Sequence, residues 1–596
     1  MKEFVKMTLA VMCGLFLMGI VGFFLLISAL GSLIAAAGSS SSTVVLPREG
    51  VLAMDMSKYS FVEVANPNTD FQALLQGQEI ITPVSIWSAV QAVRKAAQDP
   101  GVKFLYLKPD GMSIGLAQLQ ELRAALEEFR ASGKAVIAYT ETPTTATLWL
   151  SSVADKVYLD SYCGTGGMVH GLSTQLIFVK DLLDKLGVNV QLIRHGKYKS
   201  AGEMFIRNSA SPENLEQNQV LVNSMWKTIS TDIAQGRGIE TEQLDKAISE
   251  LKLQFPADFL ALNLVDSLTT REQLKQRLAV LSGKESFSEV SLIPFGDYVQ
   301  AKTGKDNGYR KIAIIYADGE IVEGKDPTNV AGNRFASLIA KVRNDASVEA
   351  VVFRVNSPGG SVTASDKIKN EIDLLRAEKP VIASYANYAA SGGYWISNSC
   401  ERIFSDATTL TGSIGVFSMI PDFSRTARDI AHVNITSVKS HPHADMIGAM
   451  RPLDEAEKAA MQRSVEDIYG AFVSTVAAGR GLDSLYVDSI AQGRVWAGSD
   501  ALDRKLVDEI GTLDDALRYT AALAGDADLK AWNIVDEPKP QTQTEMLMEL
   551  FGQKEDLDEQ VLAALPGGKS LRPLLKMLRE PGGKVLARIP YQITVQ

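Results

Sequence analysis

The sequence predicts an α/β protein made of two copies of one domain, and two observations support this prediction. Ala92–Gly111 aligns without a gap with Lys341–Gly360, and shorter matches continue as far as Asp160 in one copy and Asp406 in the other. In both copies short apolar strands alternate with amphipathic helices, which is typical of βαβ units. A repeat of roughly 250 residues is too long for a solenoid and indicates two domains of the same fold.

The expected elements follow the same order in each copy. In the first copy we expect a strand over 51–64, a helix over 85–98, a strand over 104–107, a helix over 116–129 and a strand over 135–139. In the second copy we expect a strand over 312–316, a helix over 335–344, a strand over 351–355, a helix over 364–375 and a strand over 381–385. Long helices over 214–234 and 455–478 follow, and each runs into a Gly-Arg-Gly sequence.

These patterns define the domain boundaries. The first domain spans 46–285, a polar linker spans 286–310, the second domain spans 311–535, and a tail covers 536–596. The tail ends in a basic stretch, which we expect to pack on the protein or on another subunit. Contact with anionic lipid is the alternative. The net charge of −10 argues against nucleic acid as a partner.

The N-terminal 45 residues are expected to form a membrane anchor and a short tether. Met7–Ala37 contains no charged residue, and this run is long enough for a transmembrane helix. Lys2 and Lys6 precede this segment, so the positive-inside rule places the N-terminus in the cytoplasm and the domains across the membrane. Cleavage after Ala35–Ala37 is the alternative, but the apolar run is longer than the core of a usual signal peptide.

Cysteine and histidine give no sign of a metal site. Cys13, Cys163 and Cys400 lie far apart, without the spacing of a zinc site or of a disulfide framework. His441 and His443 form a short pair, which we interpret as part of a loop. The sequence therefore predicts neither a metal ion nor another cofactor.

Three clusters of small residues in the second copy point to catalysis. They lie near the ends of predicted strands, where open α/β sheets bind ligands: Asn356–Gly360, Ala389–Gly393 and Thr411–Gly415. A serine flanked by glycines at the start of a helix can expose its hydroxyl beside backbone N–H groups, as acyl transfer requires. Close packing of backbone is the alternative reading of a single cluster, but three clusters favour a site.

The two copies differ in a complementary way. Ser391 aligns with about Thr145 of the first copy, which has no Ser-Gly-Gly there. Lys199 of the first copy aligns with Ala444 of the second. A duplicated enzyme that now builds one site from two domains would lose residues in this way. For Lys199 to act as a base its pKa must fall by several units, which burial in a cleft can achieve.

The motifs resemble those of a known family. Asn356–Ser361, Ala389–Ser397, Leu410–Gly415 and Tyr198–Ala201 closely resemble the two-domain members of the signal peptide peptidase A (protease IV) family. This resemblance implies tandem ClpP/crotonase-like domains and a Ser/Lys dyad peptidase. It also implies a homotetramer in the bacterial inner membrane with its catalytic domains in the periplasm. The implied substrates are signal peptides released by signal peptidase and other apolar peptides.

The resemblance also implies roles for individual residues. Ser391 would be the nucleophile and Lys199 the general base, while Ser413 would orient Lys199. The backbone N–H groups of Gly359 and Gly392 would form the oxyanion hole. Family members often read Val-Glu-Pro-Phe after Lys-Ser-Ala, whereas this chain has Gly-Glu-Met-Phe.

Three alternatives remain open from the sequence. A crotonase-like acyl-CoA hydratase or hydrolase uses similar glycine-rich turns, but it would place carboxylates in the pocket and would not need an export anchor. A non-catalytic membrane scaffold would not need a serine and a lysine on opposite copies. A serine hydrolase with His170 or His195 as its base is the third alternative, because His195 lies only four residues before Lys199.

Overall fold

The computed structural model describes residues 44–66, 81–162, 169–303, 308–539 and 585–588, together with Gly14 and Met18. The described residues of both copies lie within one compact unit. The predicted anchor over Met7–Ala37 lies outside the described residues, apart from Gly14 and Met18. In the described part of the chain, none of the helices combines the length and the apolar character that crossing a bilayer requires.

The first copy forms a parallel sheet flanked by helices. The strands are β1 (Gly50–Asp55), β2 (Tyr59–Val62), β3 (Thr82–Ser85), β4 (Val102–Lys108), β5 (Val136–Thr140), β6 (Lys156–Asp160), β7 (Asn189–Arg194), β8 (Ser267–Thr269) and β9 (Leu292–Pro294). The helices are α1 (Ile86–Gln98), α2 (Leu116–Ala131), α3 (Thr145–Ser151), α4 (Lys180–Lys185), α5 (Glu203–Ile206), α6 (Pro212–Arg237), α7 (Thr241–Ser249), α8 (Pro256–Ala261), α9 (Arg271–Leu281) and α10 (Phe295–Lys302).

The second copy repeats this arrangement. The strands are β10 (Arg310–Asp318), β11 (Ile321–Val322), β12 (Val330–Ala331), β13 (Val348–Ser357), β14 (Gly359–Ser361), β15 (Val381–Ala390), β16 (Arg402–Ser405), β17 (Leu410–Gly412), β18 (Phe417–Asp422), β19 (Val495–Ala497), β20 (Glu509–Ile510), β21 (Trp532–Glu537) and β22 (Val585–Arg588). The helices are α11 (Gly332–Asn344), α12 (Val362–Arg376), α13 (Gly392–Trp395), α14 (Glu455–Arg480), α15 (Ser484–Ile490), α16 (Gly498–Asp503) and α17 (Leu513–Leu523).

The strand order shows that the two sheets are copies of one another. The first sheet runs β8-β6-β5-β4-β1-β9, and the second contains the path β20-β16-β15-β13-β10-β21. Both paths are parallel throughout, with each strand in the position of its sequence counterpart. The predicted α/β class and the duplication are therefore confirmed.

The long helices of both copies begin and end for the same local reasons. Ser211 caps α6 by accepting a hydrogen bond from the Asn214 N–H, and Asp454 caps α14 through Glu457. Gly238 and Gly481 end these helices with φ values of 63°, a conformation that glycine adopts without strain. The final glycine of each Gly-Arg-Gly sequence is thus a helix cap.

The segment expected to link the two domains differs from the prediction. Within 286–310, Leu292–Pro294 forms β9, which pairs with β1 in the first sheet. The next helix, α10, buries Phe295 and Tyr298. The sequence here is polar overall, but its few apolar residues fall where a short strand and helix can bury them. Most of the expected linker therefore belongs to the first domain.

A third sheet joins the two copies. Its order is β12-β11-β14-β22-β18-β7, so β7 of the first copy pairs antiparallel with β18 of the second. The two strands are not a repeated pair. Residues 169–178, which align with β18 and its flanks, and residues 432–439, which align with β7 and the two residues before it, run without regular secondary structure. Each copy thus supplies a strand at a place where the other has irregular chain.

A buried ion cluster also spans the two copies. Arg354 of β13 lies 2.8 Å from Glu63 and 2.9 Å from Glu121, and the three side chains are at most 2% exposed. Gln118 donates a further hydrogen bond of 2.8 Å to Glu63. Burial acts to lower the pKa of Arg354, but the charges of Glu121 and Glu63 outweigh it and raise that pKa. Both acidic residues come from the first copy, so the cluster holds the copies together.

Candidate active site

Three of the predicted site residues meet at the contact between the copies. The Nζ atom of Lys199 lies 2.8 Å from the Oγ atom of Ser391 and 3.0 Å from the Oγ atom of Ser413. It also donates a hydrogen bond of 3.1 Å to the carbonyl oxygen of Ser413. All three residues are at most 1% exposed. The structure therefore brings Lys199 to Ser391 within one chain.

Lys199 follows β7, and the second copy holds its loop in place. The backbone N–H of Tyr198 donates to the carbonyl of Gln492 at 3.0 Å. Gln217, on α6, donates to the carbonyl of Tyr198 at 3.2 Å and accepts a hydrogen bond of 3.0 Å from the N–H of Val495. This buried glutamine ties the lysine loop to β19 and limits its movement.

Glycines of the second copy form the floor under the Lys199 side chain. A Cβ atom at Gly493 would lie 2.5 Å from the Cβ of Lys199, and Gly493 has a φ of 79°. A Cβ at Gly415 would lie 3.3 Å from Cδ of the same lysine. A side chain at position 493 would therefore displace the lysine. Gly493 and Gln217 could not be identified from the sequence, because neither belongs to a repeated motif.

Burial lowers the pKa of Lys199 well below its usual value of about 10.5. The polar atoms bonded to Nζ are hydroxyl and carbonyl oxygens, and no carboxylate of the described residues forms a hydrogen bond or ion pair with it. Removing an ammonium group from water without a compensating anion disfavours its charged form. The site therefore favours the neutral amine, which is the form that can accept a proton.

Ser391 occupies a strained turn between β15 and α13. Its φ of 57° and ψ of −115° are unusual for a residue with a side chain. The turn is held by a hydrogen bond of 2.8 Å from its N–H to the carbonyl of Gly412. Gly412 belongs to the third glycine cluster, as does Ser413, which also has a positive φ of 50°. The second and third clusters together thus aim the Ser391 hydroxyl at Lys199.

Gly359 and Gly392 lie against one another beside Ser391. A Cβ atom at Gly392 would be only 3.1 Å from the Cα of Gly359. Gly392 is the first residue of α13, where a backbone N–H has no partner within the helix. The N–H of Gly359 makes one long contact of 3.3 Å with the Oγ of Ser357. The structure thus places both predicted oxyanion donors next to the serine.

The histidines considered as alternative bases lie in other surroundings. The ring of His195 stacks on that of Tyr469, with centroids 3.9 Å apart. His170 is exposed. The hydroxyl of Ser391 has the amine of Lys199 as its partner instead. The geometry therefore favours lysine over histidine as the group that could activate this serine.

His441 and His443 do not converge on one point. His441 lies 3.0 Å from the hydroxyl of Ser440, whereas His443 lies 2.9 Å from Glu457. His443, Asp454 and Glu457 have ligand atoms within 4.8 Å of one another. However, the guanidinium of Arg451 lies 2.6 Å from Glu457, so a positive charge is already present there.

A serine hydroxyl, a buried amine and adjacent backbone N–H groups are the parts that an acyl-transfer hydrolase needs. The model of the family described as "Peptidase family S49" matches residues 128–285 and 373–526, one region in each copy. The chain belongs to peptidase family S49 and is a serine peptidase. This membership confirms the predicted peptidase over the acyl-CoA enzyme and the scaffold.

Full-length relatives agree with this assignment. Protease 4 of Haemophilus influenzae is 35% identical over 522 residues, which cover 84% of this chain and 83% of that protein. Protease 4 of Salmonella typhi is 34% identical over 542 residues, which cover 87% of this chain and 85% of that protein. Among solved structures, a ClpP1 variant from Listeria monocytogenes matches with a TM-score of 0.24 and 16% identity, covering 34% of this chain and 94% of that chain.

Proposed function

We propose that this chain hydrolyses apolar peptides with Ser391 as nucleophile and Lys199 as general base. The observation that carries the proposal is the distance of 2.8 Å between Lys199 Nζ and Ser391 Oγ in a buried site. A base within hydrogen-bonding reach of the proton it removes is the first requirement of general base catalysis. The second requirement is a base in its neutral form, and the lowered pKa of Lys199 favours that form.

The reaction would proceed in two steps. Lys199 accepts the hydroxyl proton as Ser391 Oγ attacks the peptide carbonyl, and the N–H groups of Gly359 and Gly392 stabilise the oxyanion. The ammonium then gives its proton to the leaving amine, so that the peptide C–N bond breaks and an ester forms. In the second step Lys199 removes a proton from water, which hydrolyses the ester and returns the proton to Ser391. Ser413 acts as a positioning residue for the amine.

The surroundings of the nucleophile support an apolar substrate. Ala390, immediately before Ser391, packs in a cluster with Leu221, Met225 and Leu410. Leu116, Leu172 and Tyr388 lie at the partly buried margin of this cluster. The cores of signal peptides are apolar, so we propose signal peptides released by signal peptidase as the natural substrates.

The cellular setting is part of the same proposal. The uncharged run over Met7–Ala37 supports a single-pass anchor in a bacterial inner membrane, with the catalytic domains in the periplasm. The motif resemblance supports a homotetramer and a ClpP/crotonase-like fold in each copy. The two steps require no cofactor. Serine and lysine carry out the proton transfers, and backbone N–H groups stabilise the negative charge on the oxyanion.

The decisive test uses the full chain in mild detergent and a fluorogenic apolar peptide. Wild type, Ser391→Ala, Lys199→Ala and His195→Ala are compared, and intact mass is measured after treatment with a serine-reactive phosphonate. We expect the first two substitutions to abolish turnover and the label to map to Ser391. His195→Ala should stay active. Loss of activity in His195→Ala, or an active Lys199→Ala, would show that lysine is not the base.

The pH dependence of kcat/KM gives a separate prediction. Because only neutral Lys199 can accept a proton, the rate should rise with pH through the lowered pKa of Lys199 and then reach a plateau. The half-maximal pH should lie well below the value of about 10.4 for a free lysine. Ser413→Ala should move it lower still, since the ammonium loses a hydrogen-bond acceptor. A rate that climbs with hydroxide concentration through pH 10 would contradict a neutral lysine base.

A further inference from the structure

The strand that leads to Ser391 contains a bulge. One residue of β13, Asn356, lies opposite three residues of β15, 386–388. The flanking pairs are Val355 with Tyr385 and Ser357 with Ala389. Bulges bend a strand and are common beside active sites, where they change the direction of a side chain. This bulge ends three residues before Ser391, so its shape affects where the nucleophile lies.

The second copy holds both ends of the bulge. The hydroxyl of Thr409 donates a hydrogen bond of 2.7 Å to the carbonyl of Ala386. The backbone N–H of Tyr388 donates a hydrogen bond of 3.2 Å to Oδ1 of Asn356. The middle residue of the bulge is Asn387, and its side chain contacts the first copy instead.

Asn387 caps a helix of the first copy. Its Oδ1 accepts a hydrogen bond of 3.0 Å from the N–H of Ala117, the second residue of α2. Such an N–H is usually satisfied by the side chain of the residue before the helix, but that residue is Gly115. A Cβ atom at Gly115 would lie 2.2 Å from both Oδ1 and Nδ2 of Asn387. The glycine therefore leaves room for a cap that comes from the other copy.

The helix that Asn387 caps is firmly attached to the second copy. Glu121, on α2, lies 2.9 Å from Arg354 in the buried ion cluster. Leu116, the first residue of α2, packs at the margin of the apolar cluster that contains Ala390, the neighbour of Ser391. The N-terminal end of α2 thus lies beside the strand that carries the nucleophile, and it can hold the middle of the bulge in place.

We propose that Asn387 is a positioning residue that makes the geometry of the Ser391 turn depend on docking of the first copy. The proposal rests on the function proposed above, since it concerns the nucleophile of that reaction. Without the bond to α2 the bulge would be anchored only at its two ends, and the turn that follows it could shift. A displacement of about 1 Å at a reacting group can reduce a rate by a factor of about 10². The first copy thus contributes to catalysis through α2 as well as through Lys199.

The experiment compares five full-length chains in mild detergent on the fluorogenic apolar peptide. These are wild type, Asn387→Ala, Asn387→Asp, the double variant Asn387→Ala with Gly115→Ser, and Asn344→Ala, which changes an exposed asparagine of α11. The value of kcat is expressed per Ser391 that takes up the phosphonate on long exposure, so that an unfolded fraction does not lower it. Melting temperatures are measured on the same samples.

We expect Asn387→Ala to lower kcat about 10-fold with KM unchanged. Its melting temperature should also fall, because α2 loses its cap. Asn387→Asp should retain kcat, since a carboxylate oxygen accepts the same N–H and is favourable at a helix N-terminus. In the double variant Gly115→Ser caps α2 within the first copy, because truncation of Asn387 removes the atoms that the new Cβ would meet. The melting temperature should therefore recover while kcat stays low, and Asn344→Ala should match wild type.

The outcomes separate this inference from the proposed function. Recovery of kcat in the double variant would show that Asn387 acts only as a helix cap, and the inference would be wrong. A wild-type kcat in Asn387→Ala, or a change in KM alone, would also overturn it, although the peptidase would stand. A low kcat in Asn387→Asp would contradict the role assigned to the hydrogen bond with Ala117. If the phosphonate does not label Ser391 even in wild type, the proposed function itself fails.

Discussion

Replacing Lys199 with methionine is expected to reduce kcat by a factor of about 10² to 10⁴, the usual contribution of a general base. The side chains are similar in length, so the glycine floor formed by Gly415 and Gly493 can still accommodate the new residue. Labelling of Ser391 by the phosphonate should also become slow, because the hydroxyl has lost its proton acceptor. Steady-state kinetics and the labelling rate measure the two effects.

The same substitution should reveal the energetic consequence of burying the lysine. The folded state lowers the pKa of Lys199 by burial, so unfolding takes up a proton at pH values between the folded and unfolded pKa. The wild type therefore gains stability as the pH rises through this window, by up to about 1.4 kcal/mol for each pH unit. Relative to the wild type, Lys199→Met should thus be most stable below the lowered pKa and lose that advantage as the pH approaches about 10.4.

Lys197→Met is the matched control, because it makes the same change two residues away at an exposed position. We expect it to retain turnover and to show no dependence of relative stability on pH across this window. Urea unfolding at pH 7, 8.5 and 10 compares the three chains. A stability difference between Lys199→Met and wild type that stays constant over this range would show that Lys199 remains charged in the folded protein.

Replacing Arg354 with methionine is expected to destabilise the fold by about 3–5 kcal/mol, because Glu63 and Glu121 would remain buried without a cation. The loss should grow as the pH rises. Burial already raises the pKa of Glu121, and the variant would lose the opposing effect of the Arg354 charge, so stability is greatest below the unfolded pKa of this carboxyl and falls as the pH rises towards its folded pKa. Denaturant unfolding at pH 5 and pH 8 measures both the loss and its direction.

Two comparisons make the Arg354 result specific. Arg428→Met removes an arginine whose side chain is 60% exposed and paired with Asp429 at the surface, and we expect no measurable change in stability. In the triple variant Arg354→Met, Glu63→Leu and Glu121→Leu, all three buried charges are gone, and most of the lost stability should return. A triple variant as unstable as Arg354→Met would mean that packing, rather than unpaired charge, causes the loss.

Much of the fold could be predicted because the sequence repeats it. The expected helix over 85–98 is α1, and the expected strand over 381–385 is the first half of β15. The errors lie where a residue's role depends on distant contacts. The sequence predicts a linker where β9 forms, since a strand of three residues carries little periodic signal. The strand order is the same in both copies. A repeated sequence pattern implies that the two orders agree, but it does not say what the order is.

The candidate site was predictable in part for a different reason. Ser391 stands out because it lies in a glycine-rich cluster after a predicted strand, and Lys199 stands out because the second copy has an alanine at the aligned position. The same comparison could not show that β7 pairs with β18, since neither strand has a regular counterpart in the other copy. Nor could it find Gln217, Gly493 or the ion cluster around Arg354. These groups act through contacts between the copies, and such contacts leave no pattern along the sequence.

The pairing of β7 with β18 bears on when, during and after synthesis, the chain can become an active peptidase. The ribosome makes the lysine half first, and domains generally fold in order from the N-terminus. Lys199, the proposed base, is therefore made before Ser391, the proposed nucleophile, has been synthesised. Under the proposed mechanism, hydrolysis can begin only once β18 has paired with β7, a step that requires both halves of the chain. The proposed catalytic pair is thus complete only after the second half has been made and has packed on the first.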